Sequence, residues 1–201
     1  MKRVGIVGGT GYTGVELLRM LASHRGIEVS CLTSRSEAGK SVASLYPWLL
    51  HYGGLRFEHH SIDALSACDL VFYATPNKIA MNEASSFLDR NVRVIDLAAD
   101  FRFSERSLWE SVYGGPHRAP QLTQEAVYGL PEKYRTEITG ARLVGNPGCY
   151  PTATALALMP LVEARVLSNS HVIVDGKSGA SGAGRSARSD LILAEASDNF
   201  H

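Results

Sequence analysis

Apolar residues recur along the first half of the chain in two alternating rhythms. Short aliphatic or β-branched runs, Arg3 to Val7, Ile27 to Thr33, Leu70 to Ala74 and Val92 to Ile95 ending at Asp96, have the length and composition of buried strands. Between them lie stretches of helical period. Val15, Leu17, Leu18 and Leu21 sit among Glu16 and Arg19, and a second helix is predicted from about Ile79 to Asp89. Strands alternating with helices predict an α/β fold, a doubly wound parallel sheet of the Rossmann type with right-handed crossovers. Arg142 to Val144 reads as a later strand, followed by a Gly/Pro turn, the apolar helical run Ala153 to Met159 and a further strand, His171 to Val174. Two segments lack a clean period. Ser34 to Gly54, with Tyr46-Pro47-Trp48, either covers the adenosine end of a cofactor or meets another subunit. Phe103 to Thr139 is irregular, with ordered turns at Gly114-Gly115-Pro116 and Tyr128-Gly129-Leu130-Pro131-Glu132.

The first strand runs into Gly8-Gly9-Thr10-Gly11-Tyr12-Thr13-Gly14, which contains G-x-G-x-x-G at Gly9, Gly11 and Gly14. Strand, glycine turn, helix and second strand within about thirty residues form a dinucleotide-binding unit. Backbone N–H groups of Gly9, Thr10, Gly11, Tyr12, Thr13 and Gly14 are expected against a pyrophosphate at the helix N-terminus. An NAD site usually places a carboxylate about twenty residues further on, to bond the ribose 2′-hydroxyl. Ser34-Arg35-Ser36 stands there instead. Hydroxyls and a guanidinium hold a 2′-phosphate that a carboxylate would repel, so NADP is favoured over NAD. Arg35 also fits a plain surface arginine, and Glu37 is close by. Thr75-Pro76-Asn77 and Asp96-Leu97-Ala98-Ala99-Asp100-Phe101-Arg102 follow strand ends and are expected to line the cofactor crevice, Thr75 and Pro76 as contacts.

Composition narrows the partners. The 201 residues are 45% hydrophobic and 20% charged with a formal net charge of zero, an ordinary globular balance. With no basic excess to neutralise phosphates, no nucleic-acid or acidic-membrane partner is expected. No apolar stretch has the length of a membrane span, and the start lacks a signal peptide's apolar core. Three cysteines, an odd number without metal-like spacing, predict reduced thiols in a cytoplasmic protein and no metal site.

Cys31 and Cys68 fall in or beside strands, as core fillers do. Cys149 occupies a turn, Gly145-Asn146-Pro147-Gly148-Cys149-Tyr150-Pro151-Thr152. Pro151 suits a first helical turn. A thiol there meets unpaired N–H groups and the positive end of a helix dipole, which favours the nucleophilic thiolate; the alternative is a small buried residue at a tight turn. Asp175-Gly176-Lys177-Ser178-Gly179-Ala180-Ser181-Gly182-Ala183-Gly184-Arg185 is either a flexible turn or a loop of bare backbone that approaches a flat cofactor ring. Residues 1–147 form the expected nucleotide domain. Residues 148–201 begin a second one, with one strand and one helix, and read as truncated.

These motifs occur together and in order: Val7 to Gly14, Asp96 to Arg102, Tyr128 to Glu132, Gly145 to Thr152 and Lys177 to Gly184. Jointly the sequence resembles the N-acetyl-γ-glutamyl-phosphate reductases, NADP-dependent acyl-phosphate reductases of arginine biosynthesis related to aspartate-semialdehyde dehydrogenase. The resemblance implies an α+β catalytic and dimerisation domain from residue 148, a homo-oligomer in the full-length protein, and a small acyl-phosphate substrate. It implies Cys149 as the catalytic nucleophile and Ser178, Gly179, Gly182 and Gly184 beside the nicotinamide half of NADP. Asn146 would contact the phosphate or position the cysteine turn. Arg102 would clamp the substrate phosphate, or pair with Asp96 or Asp100. Glu195 would help hold substrate or lie on a solvated helix face. The family takes its acid–base histidine from a Gly-His-Arg-His segment further along, and His201 lacks those neighbours. The 201-residue chain is therefore expected to bind cofactor and to turn over slowly or not at all, general acid–base catalysis being worth about 10²–10⁴-fold. Two other readings stay open: a sibling reductase acting on aspartyl or aminoadipyl phosphate, and a non-catalytic NADP-binding module.

Overall fold

The computed structural model describes residues 1–167 and 171–185. Six strands, β1 (Lys2–Val7), β2 (Ile27–Thr33), β3 (Leu70–Tyr73), β4 (Arg93–Asp96), β5 (Val127–Tyr128) and β6 (Leu143–Gly145), form one sheet in the order β2-β1-β3-β4-β6-β5. Every neighbouring pair is parallel. The helices are α1 (Tyr12–Leu21), α2 (Val42–Leu45), α3 (Ile62–Leu65), α4 (Ala80–Leu88), α5 (Arg106–Tyr113), α6 (Pro131–Gly140) and α7 (Cys149–Glu163). From β1 the chain winds out to β2, then crosses back to β3 on the other side. The carboxyl ends of β1 and β3 therefore flank a topological switch point, where open α/β sheets bind ligands.

Both faces of the sheet are buried, which explains strands that read as continuous apolar runs. Val4, Ile6, Val29 and Leu32 share one core with Leu18 and Leu21 of α1. Val7, Cys31, Val71 and Tyr73 share the other with Ala80, Ala84 and Phe87 of α4. The predicted strands at 3–7, 27–33, 70–74, 92–95 and 142–144 are present to within a residue or so at either end.

The aperiodic segments fold by long-range packing. Between Ser34 and Gly54, Tyr46, Leu49 and Tyr52 are buried in the α1-side core, and the Tyr52 hydroxyl donates to the Leu18 carbonyl (3.0 Å). The irregular stretch from 103 to 139 contains α5, β5 and most of α6. Trp109 of α5 is fully buried, and its Nε1 donates to the Ala99 carbonyl (2.8 Å), fastening the loop after β4.

His171 to Val174 is not a strand. Its side chains are exposed, Ile173 at 94%, and among the described residues no strand pairs with it. An extended segment becomes a strand only when a neighbour accepts and donates its backbone hydrogen bonds. α7 is apolar on all sides yet buries none of its residues, a pattern that belongs to helices inside a core. No helix among the described residues is long and apolar enough to cross a membrane.

Candidate active site

A cavity of about 420 Å³ opens over the carboxyl ends of β1, β2 and β3, lined by Gly8, Thr10, Gly11, Ser34, Arg35, Ser36, Thr75, Pro76, His60 and Glu83 among others. Three segments read separately from sequence, the glycine turn, the end of β2 and the end of β3, meet in it. The glycines divide their work. Gly8 has φ +86°, a left-handed conformation that favours glycine. A Cβ on Gly9 would come within 2.1 Å of Leu32 Cδ1, and one on Gly14 within 2.5 Å of the Gly8 carbonyl. Gly9 and Gly14 therefore close the turn onto β2 and the helix onto the turn, and only Gly11 of the triplet lines the cavity. Tyr12 and Thr13 lie outside the lining, at the start of α1. That helix begins on Gly11 with no side-chain cap, which leaves its first N–H groups open to an anion.

Polar groups in the cavity are set for a ligand. Ser34 is buried, and its Oγ lies 3.0 Å from Thr10 Oγ1. Among the described residues, Thr75 Oγ1 is buried without a hydrogen-bond partner, a costly state that a ligand's polar atom relieves. The cavity, the uncapped helix and this orphaned hydroxyl fit a dinucleotide. Sequence reasoning missed Glu83, whose carboxylate accepts from the Tyr73 hydroxyl and lies 3.0 Å from His60 Nε2. No local motif marks either residue.

The loop after β4 does not line the crevice as expected. Ala98, Ala99, Asp100 and Phe101 are buried, and the loop braces the cysteine turn from inside. Asp96 accepts from the N–H groups of Ala98 (3.0 Å) and Asp100 (2.8 Å), and its carbonyl accepts from Asn146 N (2.8 Å). Asp100 accepts from Lys78 N (2.6 Å) and Met81 N (3.0 Å) ahead of and within the first turn of α4. Neither aspartate pairs with Arg102. Arg102 Nε instead donates to the Asn146 carbonyl (2.7 Å) and Nη2 to the Leu97 carbonyl (3.3 Å), while Nη1 would stand 3.3 Å from a Cβ on Gly148. Asn146 Nδ2 donates to the Pro147 carbonyl (3.1 Å). Arg102 and Asn146 thus hold the turn that carries Cys149.

Burial, with the charge of Asp100 second, pushes the Asp96 carboxyl up to about 7 from its ordinary 3.8. Between these two values the folded protein keeps a proton that the unfolded chain has lost, so stability falls as pH rises through that window and levels off above it. Asp96→Asn is expected to flatten this fall; urea midpoints of the two proteins, measured from about pH 4 to pH 8, check it.

Cys149 is the first residue of α7 and is exposed. The helix starts on Gly148 without a side-chain cap, so the N–H groups of Cys149 and Tyr150 lack helical acceptors. Cys31 and Cys68 are buried as expected. Burial pushes the Cys31 thiol up to about 12 and raises that of Cys68. Cys149 lines a second cavity, of about 690 Å³, with Tyr150, Ser178, Gly179, Ser181 and Gly182. Gly176 comes close to the Tyr150 ring, where a Cβ would lie 2.4 Å from Cε1. Gly184, with φ +88°, is outside the lining. It turns the chain so that Arg185 Nη1 reaches the Thr10 carbonyl (3.1 Å) and the Tyr46 hydroxyl (2.6 Å). One Gly/Ser loop thereby runs from the thiol to the glycine turn. Glu195 and His201 lie outside the described residues.

Comparison with known proteins agrees with this geometry. Residues 3–141 match the family described as semialdehyde dehydrogenase, NAD binding domain, and residues 149–201 match semialdehyde dehydrogenase, dimerisation domain. The chain is 54% identical over 200 residues to an N-acetyl-gamma-glutamyl-phosphate reductase of Nitrosospira multiformis, and 54% identical over 201 residues to one of Pseudomonas fluorescens. All of this chain is covered in both, and it spans 58% of the length of each relative. These relatives bear out the resemblance carried by the motifs. Among solved structures, aspartate semialdehyde dehydrogenase II of Vibrio cholerae, complexed with ASA, superposes with a TM-score of 0.63 at 18% identity, over 92% of this chain and 48% of that one. The Candida albicans aspartate semialdehyde dehydrogenase with NADP gives 0.58 at 18% identity, over 81% and 47%. At that identity the likeness is one of fold. The first family match runs from β1 to α6 and the second begins at Cys149 itself, and on these matches the chain belongs to the semialdehyde dehydrogenase family.

Proposed function

We propose that the protein is an N-acetyl-γ-glutamyl-phosphate reductase, which converts N-acetyl-γ-glutamyl phosphate to N-acetylglutamate 5-semialdehyde with NADPH, the arginine-biosynthetic reaction. The observation that carries the proposal is the exposed Cys149 at an uncapped helix start, sharing a cavity with a Gly/Ser loop that reaches the nucleotide turn. Residues 1–147 bind the cofactor and residues 148–201 open the catalytic and dimerisation domain. The bare apolar surface of α7 fits a helix that the rest of that domain, or a second subunit, covers. The reduced thiols accord with a cytoplasmic protein.

Cys149 Sγ attacks the acyl carbon, the carbon–oxygen bond to phosphate breaks, and inorganic phosphate leaves an acyl thioester on the sulfur. The open N–H groups of Cys149 and Tyr150 are the donors for the oxygen that gains charge. Arg102 Nη1, with Nε and Nη2 already committed to carbonyls, is the donor for the phosphate, and Asn146 keeps the turn in place. Glu195 is assigned to substrate on the resemblance alone. Bound NADPH would supply the hydride that reduces the thioester to the aldehyde. Thr10, Gly11, Ser34, Arg35, Thr75 and Pro76 hold the dinucleotide, with Ser34 and Arg35 at its 2′-phosphate, and Ser178, Gly179 and Gly182 flank the nicotinamide end.

The test is direct acylation. N-acetyl-γ-glutamyl phosphate is expected to acylate Cys149 with stoichiometric phosphate release, read by mass spectrometry of the Cys149 peptide. Iodoacetamide near neutral pH should label Cys149 well ahead of Cys31 and Cys68. Faster acylation by aspartyl or aminoadipyl phosphate would move the substrate to a sibling enzyme. A Cys149 that labels no faster than the two buried thiols would leave a cofactor-binding module without chemistry.

A further inference from the structure

Arg185 belongs by sequence to the second module, yet its guanidinium sits on the nucleotide turn. Nη1 donates to the Thr10 carbonyl (3.1 Å) and to the Tyr46 hydroxyl (2.6 Å), and the guanidinium carbon lies 5.8 Å from the Tyr46 ring centroid. Tyr46 is itself fixed. Its ring is buried in the α1-side core, and its hydroxyl donates to the same Thr10 carbonyl (3.0 Å). The arginine therefore rests on a rigid base rather than on another mobile side chain.

Arg185 stands outside the lining of the nucleotide cavity, and three connections link it to the cavity's β2 end. Thr10 Oγ1 is 3.0 Å from Ser34 Oγ, so the residue that Arg185 touches also touches the first residue of Ser34-Arg35-Ser36. Thr10 and all three of those residues line the same cavity. The positive charge of Arg185 also acts on the Glu37 carboxyl, which a hydrogen bond from Lys40 holds below the usual carboxylate range. Both contacts of Arg185 are made by Nη1 alone. Among the described residues, Nε and Nη2 have no hydrogen-bond partner, which leaves three N–H donors of a planar fork.

We infer that Arg185 is a specificity-determining residue that works with Arg35 as a second cation for the 2′-phosphate of the dinucleotide. The inference rests on the NADP reading proposed above. Its consequence is that the Gly/Ser loop beside Cys149 is tied to the end of the cofactor that distinguishes NADP from NAD. Two guanidiniums about one phosphate give charge-assisted hydrogen bonds that a ribose 2′-hydroxyl cannot match.

The test measures dissociation constants for NADP and for NAD by titration calorimetry on wild type, Arg185→Met, Arg185→Lys and Arg35→Met. Arg185→Met is expected to weaken NADP about tenfold with NAD within about twofold, and raising the salt should shrink the NADP loss. Arg185→Lys keeps the charge but not the fork and should recover part of it. If wild type prefers NADP and Arg35→Met lowers that preference while Arg185→Met lowers both affinities equally or neither, Arg185 does not read the phosphate and the inference fails, the NADP reading standing. If wild type binds the two dinucleotides equally, the NADP reading fails and takes the inference with it.

Discussion

Replacing Cys149 with alanine is expected to slow phosphate release from N-acetyl-γ-glutamyl phosphate by on the order of 10⁴-fold or more, while NADP affinity stays within about twofold. The two readouts separate because the two sites are built from different residues. The nucleotide cavity takes its lining from the ends of β1, β2 and β3, and Cys149 is not among it. The thiol is exposed at the first residue of α7, so removing Sγ opens no buried void and stability should hardly change. Cys149→Ser keeps the shape but offers a hydroxyl that is far less ionised at neutral pH, and it should fall close to the alanine variant. Single-turnover phosphate release beside calorimetric NADP binding reads both quantities. Retained phosphate release in the alanine variant would remove the sulfur from the mechanism. A matching loss of NADP binding would mean that Cys149 supports the fold instead.

Gly145→Val should be the most damaging single change to stability among the residues around the thiol, lowering it by about 4 kcal/mol and the melting temperature by roughly 10 °C. Gly145 ends β6, where it pairs with Asp96 of β4 on one side and Tyr128 of β5 on the other. A Cβ there would lie 2.1 Å from the Phe101 carbonyl oxygen and 2.5 Å from its carbon. Both are backbone atoms of a loop that Trp109 and the two buried aspartates hold in place, so the clash cannot be relieved by turning a side chain. Relief requires moving either the central sheet or the segment that carries Arg102, and both disturb the turn before Cys149. Thermal unfolding checks the first effect, and the rate of iodoacetamide labelling at Cys149 checks the second. Gly54→Ala is the control, since a Cβ at Gly54 meets nothing within 4 Å. A Gly145→Val protein that melts with the wild type would show that the loop yields freely.

The tight packing behind the cysteine turn also explains which parts of the fold were legible. β1 to β4, β6, α1 and α4 have apolar runs of the right length because each must be buried on its own account, in a sheet covered on both faces. Their signal is local. Ser34 to Gly54 and Phe103 to Thr139 carry no period because their buried residues, Tyr46, Tyr52 and Trp109, are spaced by what they pack against. The loop after β4 was expected in the crevice on the rule for strand ends, but Asp96 and Asp100 turn inward to receive backbone N–H groups. His171 to Val174 shows the opposite failure. It has a strand's composition and no partner among the described residues.

By itself the sequence determined the parallel α/β architecture, the glycine turn after β1, the absence of a carboxylate at the end of β2, and the place of Cys149 in a turn while Cys31 and Cys68 fill the core. Each of these is written in a few adjacent residues whose backbone needs or charge act locally. Only the tertiary structure decided which glycines of the motif face the cavity and which merely let backbone pass, that Arg102 braces the cysteine turn through two carbonyls, and that Arg185 lands on Thr10 across the molecule. Those outcomes depend on distances between segments far apart in the chain, and such distances are set when both faces of the sheet are packed.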